Sequence, residues 1–364
     1  MTLTPPIADP FGLVGTMLAG KYRIDAVVQE TEMSVVYRAA HQLWRRDVAI
    51  KAFKAQSLGD DARRSLLESF VREGAIMAEL SERTAAVCQA RDVASVLTPR
   101  GDWVPYMVLE WLDGEPLDCV LERERAEGLP PRSVARAMRM LEPIARALTV
   151  AHERGIVHCD VKPGNICVLE DSAGGSATPS KLYDFGIATS FHGVASAHAD
   201  APLAVAFTPA YAAPEQYAAD PRAIGPWTDV FALALVFLEV LTGKDALTGD
   251  TLEELRARAC DPGSRPTPRA HGVRVGDGIE RVLARALALK PEDRFAHAGE
   301  FWSALRHAAT ERGREATIPF LLVRPRRAAR GRWLLSAFAV GGGCAAYTML
   351  THWAHLSHIV GLLR

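Results

Sequence analysis

His158-Cys159-Asp160-Val161-Lys162-Pro163-Gly164-Asn165, followed by Asp184-Phe185-Gly186, is the stretch that decides how the rest of the chain is read. An acid, a cation and an amide fall within six positions, and a second acid follows shortly after. Phosphoryl transfer from a nucleotide needs such a set. Asp160 can orient a hydroxyl and accept its proton, and Lys162 can neutralise a moving γ-phosphoryl group. Asn165 and Asp184 offer hard oxygen ligands to Mg²⁺. Taken singly, these residue types are mostly solvated surface. Their order carries the signal.

The whole chain sets wider bounds. Its 364 residues suffice for one large domain or two smaller ones with appendages. With 49% hydrophobic and 23% charged residues, a packed core is feasible and the composition argues against wholesale disorder. A net charge of −1 gives no reason to expect nucleic-acid binding. The cysteines (Cys88, Cys119, Cys159, Cys167, Cys260, Cys344) form no C-x-x-C pair, which argues against a zinc site or a disulfide framework. Residues 1–20 lack the basic and apolar regions of a secretion signal.

Lys21 to Leu112 reads as strands with one helix. Tyr22-Arg23-Ile24, Val35-Val36-Tyr37 and Val48 to Phe53 are β-prone runs, and Val104 to Leu112 is an apolar strand ending at the turn signal Asp113-Gly114. Asp60 to Ser81 has a helical apolar face built on Leu66, Leu67, Phe70, Ile76, Met77 and Leu80. From Pro131 onward the pattern turns helical: Val134 to Arg154, the nearly all-apolar Asp229 to Thr242 ended by Gly243, Ile279 to Leu289, and Ala298 to His307. Asp171 to Ser180 reads as a loop between two short strands, and Phe191 to Ala206 as a weakly patterned segment where mobility would be useful. The expected fold is α+β and bilobal, a small β-rich N-lobe and a larger α-helical C-lobe, with a nucleotide in the cleft.

These motifs together resemble the eukaryotic-like, Hanks-type serine/threonine protein kinases of bacteria, specifically the membrane-anchored kind, over roughly Gly20 to Thr310. The resemblance implies ATP with Mg²⁺ or Mn²⁺, protein substrates, Asp160 as catalytic base and Lys162 beside it. It divides the chain into an extension (1–19), an N-lobe (20–112), a C-lobe (113–310), a basic linker (311–332), a membrane helix (333–351) and a tail (352–364). Lys51, in Val48-Ala49-Ile50-Lys51, falls where the family holds the α- and β-phosphates, and Glu73, with Glu68 and Glu79 as rivals, where it places that lysine's partner. Tyr106 to Gly114 is similar to the hinge strand. Leu109 is then the gatekeeper, the backbones of Glu110 and Leu112 meet the adenine edge, and Val28, Val36, Ala49 and Cys167 sandwich the ring. Thr208 to Glu215 is similar to the end of the activation segment, where the threonine contacts the catalytic aspartate and lysine. Glu215 would pair with Arg294, and Asp229 would anchor the catalytic-loop backbone.

The chain also departs from the pattern. The phosphate-covering G-x-G-x-x-G-x-V falls on Gln29 to Val36 with none of its glycines, and Glu30 and Glu32 add negative charge near a polyanion. Weaker nucleotide binding, or a loop held farther away, is expected. Cys159 replaces the arginine that in many relatives clamps an activation-segment phosphate, and a thiol cannot do that. Thr189, Ser190 and Ser196 are candidate phosphosites, and Tyr183 is bulky beside the nucleotide.

At the C-terminal end, Arg324, Arg326, Arg327, Arg330 and Arg332 precede Trp333 to Leu363, which carries no Lys, Arg, Asp or Glu. Residues 333–350 are long enough to span a bilayer, with Trp333 and Trp353 as interfacial aromatics and the arginines on the cytoplasmic side. The expected location is the bacterial inner membrane, single-pass, with the kinase domain inside; an amphipathic or buried C-terminal helix is the alternative. Two functions compete: an active serine/threonine kinase, and a pseudokinase scaffold favoured by the missing glycines and Cys159. A small-molecule kinase is a third, opposed by the Thr208 to Glu215 platform.

Overall fold

Arg46 to Phe53 alternates strictly, with Val48, Ile50 and Ala52 buried and Ala49, Lys51 and Phe53 half-buried on the other face. That period of two is a strand with one face on a core and one on a cleft. It is the fourth strand of the first lobe, which comprises β1 (Met17–Leu18), β2 (Tyr22–Glu30), β3 (Ser34–His41), β4 (Arg46–Phe53), α1 (Asp60–Ser81), β5 (Ala90–Leu97) and β6 (Trp103–Glu110). The strands make one antiparallel sheet in the order β1-β2-β3-β4-β6-β5. The structure, a computed structural model, describes residues 8–31, 34–54, 59–170, 179–185, 189–190, 207–218 and 221–315.

The boundary expected at residue 20 falls too late. Phe11 and Leu13 are buried in the same core as Ile24, Tyr37, Ile50 and Val108. The Tyr37 hydroxyl, fully buried, donates to Asp9 Oδ1 at 2.8 Å, and Asp9 Oδ2 accepts from Val14 N at 2.8 Å. Residues 9–15 therefore close the lobe's core instead of preceding it.

The second lobe runs through β7 (Gly114–Pro116), α2 (Leu117–Ala126), α3 (Val134–Glu153), β8 (Ile156–Val157), β9 (Ile166–Leu169), β10 (Ser180–Leu182), β11 (Thr189–Ser190), α4 (Pro226–Thr242), α5 (Leu252–Cys260), α6 (Asp277–Ala286) and α7 (Ala298–Glu315). Every residue of α4 from Thr228 to Thr242 is buried, and the lobe's core assembles around it. The helix stops at Gly243, whose φ of +68° is the left-handed cap that glycine adopts without strain. Gly114 has a different reason. A Cβ there would lie 2.4 Å from the Val168 carbonyl oxygen and 2.9 Å from Cys167 Sγ, so the close β7–β9 pairing excludes a side chain.

Among the described residues no helix is long and apolar enough to cross a membrane. The segments at 191–206, 316–332, 333–351 and 352–364, with Ser196 and the arginine cluster, lie outside the described residues.

Candidate active site

The catalytic loop is strung between β8 and β9 and pinned from below by Asp229 at the start of α4. Asp229 is fully buried and accepts from the His158 and Cys159 backbone amides, each at 2.8 Å. His152, near the end of α3, adds a third contact at 2.9 Å through Nε2. Its Nδ1 accepts from Ala298 N at 3.2 Å, so Nε2 is the nitrogen that donates to Asp229. The pinning holds Cys159 at φ +67°, a conformation that costs a non-glycine residue ~1–3 kcal/mol. Gln216 ties the next segment on: its Nε2 donates to the Cys159 carbonyl at 2.8 Å, and its Oε1 accepts from Ala213 N at 2.9 Å.

Above this base, four side chains converge. Asp160 Oδ1 accepts from Thr208 N at 2.9 Å, and Oδ2 accepts from Asn165 Nδ2 at 3.1 Å and lies 2.7 Å from Lys162 Nζ. Lys162 also donates to Thr208 Oγ1 at 2.6 Å. Asn165 Nδ2 donates again to the Asp160 carbonyl at 2.9 Å. Both bonds use the amide nitrogen, which keeps the carbonyl oxygen of Asn165 for a cation.

Lys51 reaches the cluster from β4 and donates to Asp184 Oδ1 at 2.6 Å. The Lys51–Glu73 pair expected from the sequence is not formed. Glu73 does sit in the site, only 7% exposed, but Lys51 takes Asp184 instead. Burial pushes the Glu73 carboxyl up to about 7, with Lys51 opposing and the Asp184 carboxylate reinforcing. Burial also works against charge on Asp184 and Lys51. Their mutual attraction outweighs it, holding Asp184 below the usual carboxylate range and Lys51 above the usual lysine range. Asp184 is at φ +67°, in the left-handed region. The site therefore holds a buried cation near one ionised carboxyl, Asp184, and one whose ionisation burial disfavours, Glu73. Its donors for a metal, Asp184 and Asn165, are oxygen only, and among the described residues no group of three His, Cys, Asp or Glu side chains could hold an ion. That set fits Mg²⁺, which keeps waters and takes phosphate oxygens beside one or two protein ligands.

Strand register builds the wall over the cluster. Val36 pairs with Lys51, Lys51 with Met107, and Ala49 with Leu109, so all five share one sheet face. Met107 went unremarked in the sequence because it reads as plain core. Val28 falls at a bulge between Val27 and Gln29 and is 44% exposed. Cys167 is buried on β9, its thiol pushed up to about 11 by burial. The Glu110 amide is already bonded to the Gln89 carbonyl at 2.9 Å, and its carboxylate pairs with Lys181. Of the two expected hinge contacts, Glu110 thus has its carbonyl alone to give. The Leu112 backbone makes no hydrogen bond to another described backbone group.

The glycine-free turn has its own bonding. Thr31 N donates to the Ser34 carbonyl at 2.8 Å and Ser34 N to Thr31 Oγ1 at 3.1 Å. Lys54 Nζ bridges Glu30 Oε1 at 2.8 Å and the Thr31 carbonyl at 2.7 Å. The negative charge expected from Glu30 is therefore countered by Lys54; Glu32 and Met33 lie outside the described residues. Cys159 is packed with Val157 and Ile224 in a small apolar cluster. The Tyr183 hydroxyl donates to the Gly164 carbonyl at 2.5 Å and so braces the catalytic loop. Thr189 and Ser190 pair with Val157 and Ile156.

Below Thr208, Glu215 and Arg294 form a bidentate pair, both contacts 2.8 Å, with side chains 4% and 0% exposed. Thr228 Oγ1 donates to Glu215 Oε1 at 2.8 Å, linking the pair to α4.

A model of the protein kinase domain matches residues 22–301. The serine/threonine-protein kinase PknB of Mycobacterium tuberculosis is 31% identical over 283 residues, covering 78% of this chain and 42% of that protein; PknB of Mycobacterium bovis matches equally. Serine/threonine-protein kinase PknA of Mycobacterium tuberculosis is 31% identical over 319 residues, covering 87% of this chain and 67% of that protein. The chain thus spans less than half the length of the PknB proteins it resembles.

Proposed function

The chain belongs to the protein kinase family, and from that premise we propose that it transfers the terminal phosphoryl group of ATP to serine and threonine hydroxyls of proteins. The observation that carries this reading is the closed set of contacts among Asp160, Lys162, Asn165 and Thr208. Asp160 has one oxygen fixed by the Thr208 amide and the other by Asn165 and Lys162. A carboxylate held this way can orient a hydroxyl and accept its proton as the bond to phosphorus forms. Lys162 sits where negative charge grows and is steadied by Thr208. Lys51 reaches the tail of the nucleotide by leaving Asp184, and Glu73, titrating at about 7, is placed to receive it once ionised. Asn165 and Asp184 would hold a divalent cation, which would supply charge neutralisation on the phosphates.

The test is direct. Full-length chain is incubated with ATP, Mg²⁺ or Mn²⁺ and a generic basic protein, and the product is hydrolysed to phosphoamino acids. Phosphoserine and phosphothreonine are expected; phosphotyrosine, or no product, overturns the assignment. The glycine-free turn and the buried Cys159 favour a second reading, a scaffold that binds partners with little transfer. A Lys51→Met chain that keeps full cellular function would select it. For location we propose a single-pass anchor at residues 333–351 in the bacterial inner membrane, with the kinase domain cytoplasmic. The uncharged run behind five arginines supports this.

A further inference from the structure

A groove of about 680 Å³ lies between the start of α3, the end of α4, residues 273–275, α6 and the last turns of α7. None of its lining residues belongs to the catalytic cluster. Its floor is apolar: Met138, Leu241, Val275 and Ile279 are each at most 9% exposed. Its rim is cationic. Arg132, Arg139, Arg274 and Arg306 line it, and no aspartate or glutamate does. The chain as a whole carries a formal charge of −1, so this concentration is local.

Two of the four arginines lack a countercharge among the described residues. Arg139 and Arg274 are exposed and form no ion pair with a described residue. Arg306 comes no nearer than 3.5 Å to Glu142. Arg132 is buried, 4% exposed at its side chain, and its Nη2 lies 2.6 Å from Glu124, yet its Nε has no hydrogen-bond partner. A buried guanidinium N–H without an acceptor is costly and marks a place where an anionic acceptor would be stabilising.

Apolar floor and cationic rim together specify an amphiphile with an anionic head, and the volume is that of a small-molecule site. Position along the chain narrows the source. Arg306, Ala309 and Thr310 form one wall, Glu315 is the last described residue of α7, and the sequence beyond it runs into the five arginines and the uncharged stretch from Trp333. We propose that the groove binds an anionic phospholipid, an acyl chain lying on Met138, Leu241 and Ile279 and the phosphodiester held by Arg139 and Arg274. The proposal rests on the membrane anchoring set out above for its choice of lipid, while the ligand chemistry comes from the groove itself.

Two measurements on the full-length chain separate these. Flotation with phosphatidylcholine vesicles tests anchoring alone. Hydrogen exchange at residues 132–139 and 273–279, titrated with water-soluble dihexanoyl phosphatidylglycerol, tests the groove. The expected result is slowed exchange at both segments with phosphatidylglycerol and none with dihexanoyl phosphatidylcholine. The Arg139→Ala/Arg274→Ala chain should bind about thirtyfold more weakly, the ~2 kcal/mol that two basic side chains supply at an anionic headgroup. Unchanged exchange, equal binding of the zwitterionic lipid, or undiminished affinity in the double variant overturns the groove assignment, whatever flotation shows. Failure to float with phosphatidylcholine removes the anchor; phosphatidylglycerol binding that still depends on Arg139 and Arg274 then upholds the groove. An acidic protein segment as the true occupant would show itself as exchange indifferent to the lipid.

Discussion

Glu215→Ala should be among the most damaging single changes outside the catalytic cluster. Arg294 has five N–H groups and all are satisfied: two by Glu215, the others by the carbonyls of Trp227, Ala288 and Leu289. The guanidinium also stacks on Phe231, 4.8 Å from the ring centre. Removing the carboxylate strands a cation whose side chain is 0% exposed. Breaking one partner of such a pair costs ~3–5 kcal/mol, because the remaining charge has neither a countercharge nor water. Folded domains have only about 5–15 kcal/mol in hand, so this is a large share. At roughly 2 °C per kcal/mol for a domain of this size, the melting temperature should fall by about 6–10 °C. Glu215→Gln keeps hydrogen-bonding oxygen but loses the charge, and should fall between. The double change Glu215→Leu/Arg294→Met should recover part of the loss and no more, since three carbonyls still lose their donor. Thermal melts followed by circular dichroism provide the assay. A Glu215→Ala melt within a degree or two of the parent would refute the argument, for it would mean that the pair is solvated or replaceable.

Three further outcomes follow from the geometry. Lys54→Met should raise KM for ATP about two- to fivefold by freeing the Glu30 carboxylate beside the phosphates, and adding Glu30→Gln should reverse this; steady-state kinetics would detect it. Glu73 binds its proton more tightly folded than unfolded, so its contribution to stability is full below the ordinary glutamate range and declines as pH rises to about 7. Glu73→Gln should flatten that part of the stability–pH curve, whereas the depressed Asp184 acts in the opposite sense and only at lower pH; denaturant titrations across the window would show whether the slope disappears. Phe11→Ala should cost ~3–5 kcal/mol although it lies outside the family match, because Phe11 is fully buried in the N-lobe core; an unchanged urea midpoint would contradict its placement.

Much of this was legible because it is written locally. Asp160, Lys162 and Asn165 lie within one loop, and Asp60–Ser81 carries its helical period in its own residues. The buried α4 and its Gly243 cap are equally explicit. What escaped depends on tertiary contact. β5 is half-exposed along most of its length, so its alternation is faint. α2 and α5 are short and heavily charged. Phe11 and Leu13 follow no period, and their burial shows only in the folded lobe, where Tyr37 bonds the neighbouring Asp9. Gln216 and His152 act through the backbone of other segments, which no spacing rule reports. The choice of Asp184 over Glu73 by Lys51 depends on the charge balance of a buried trio, and motif order cannot fix it.

The central claim is that this cluster moves a phosphoryl group despite a turn without glycines. The most direct measurement is transfer from γ-radiolabelled ATP to protein at saturating nucleotide with Mg²⁺, comparing the full chain with Asp160→Asn. A positioned base contributes ~10²–10⁴-fold, so the parent should exceed the variant by at least about a hundredfold. Equal, background-level incorporation by the two chains would contradict the account and leave the fold as a scaffold.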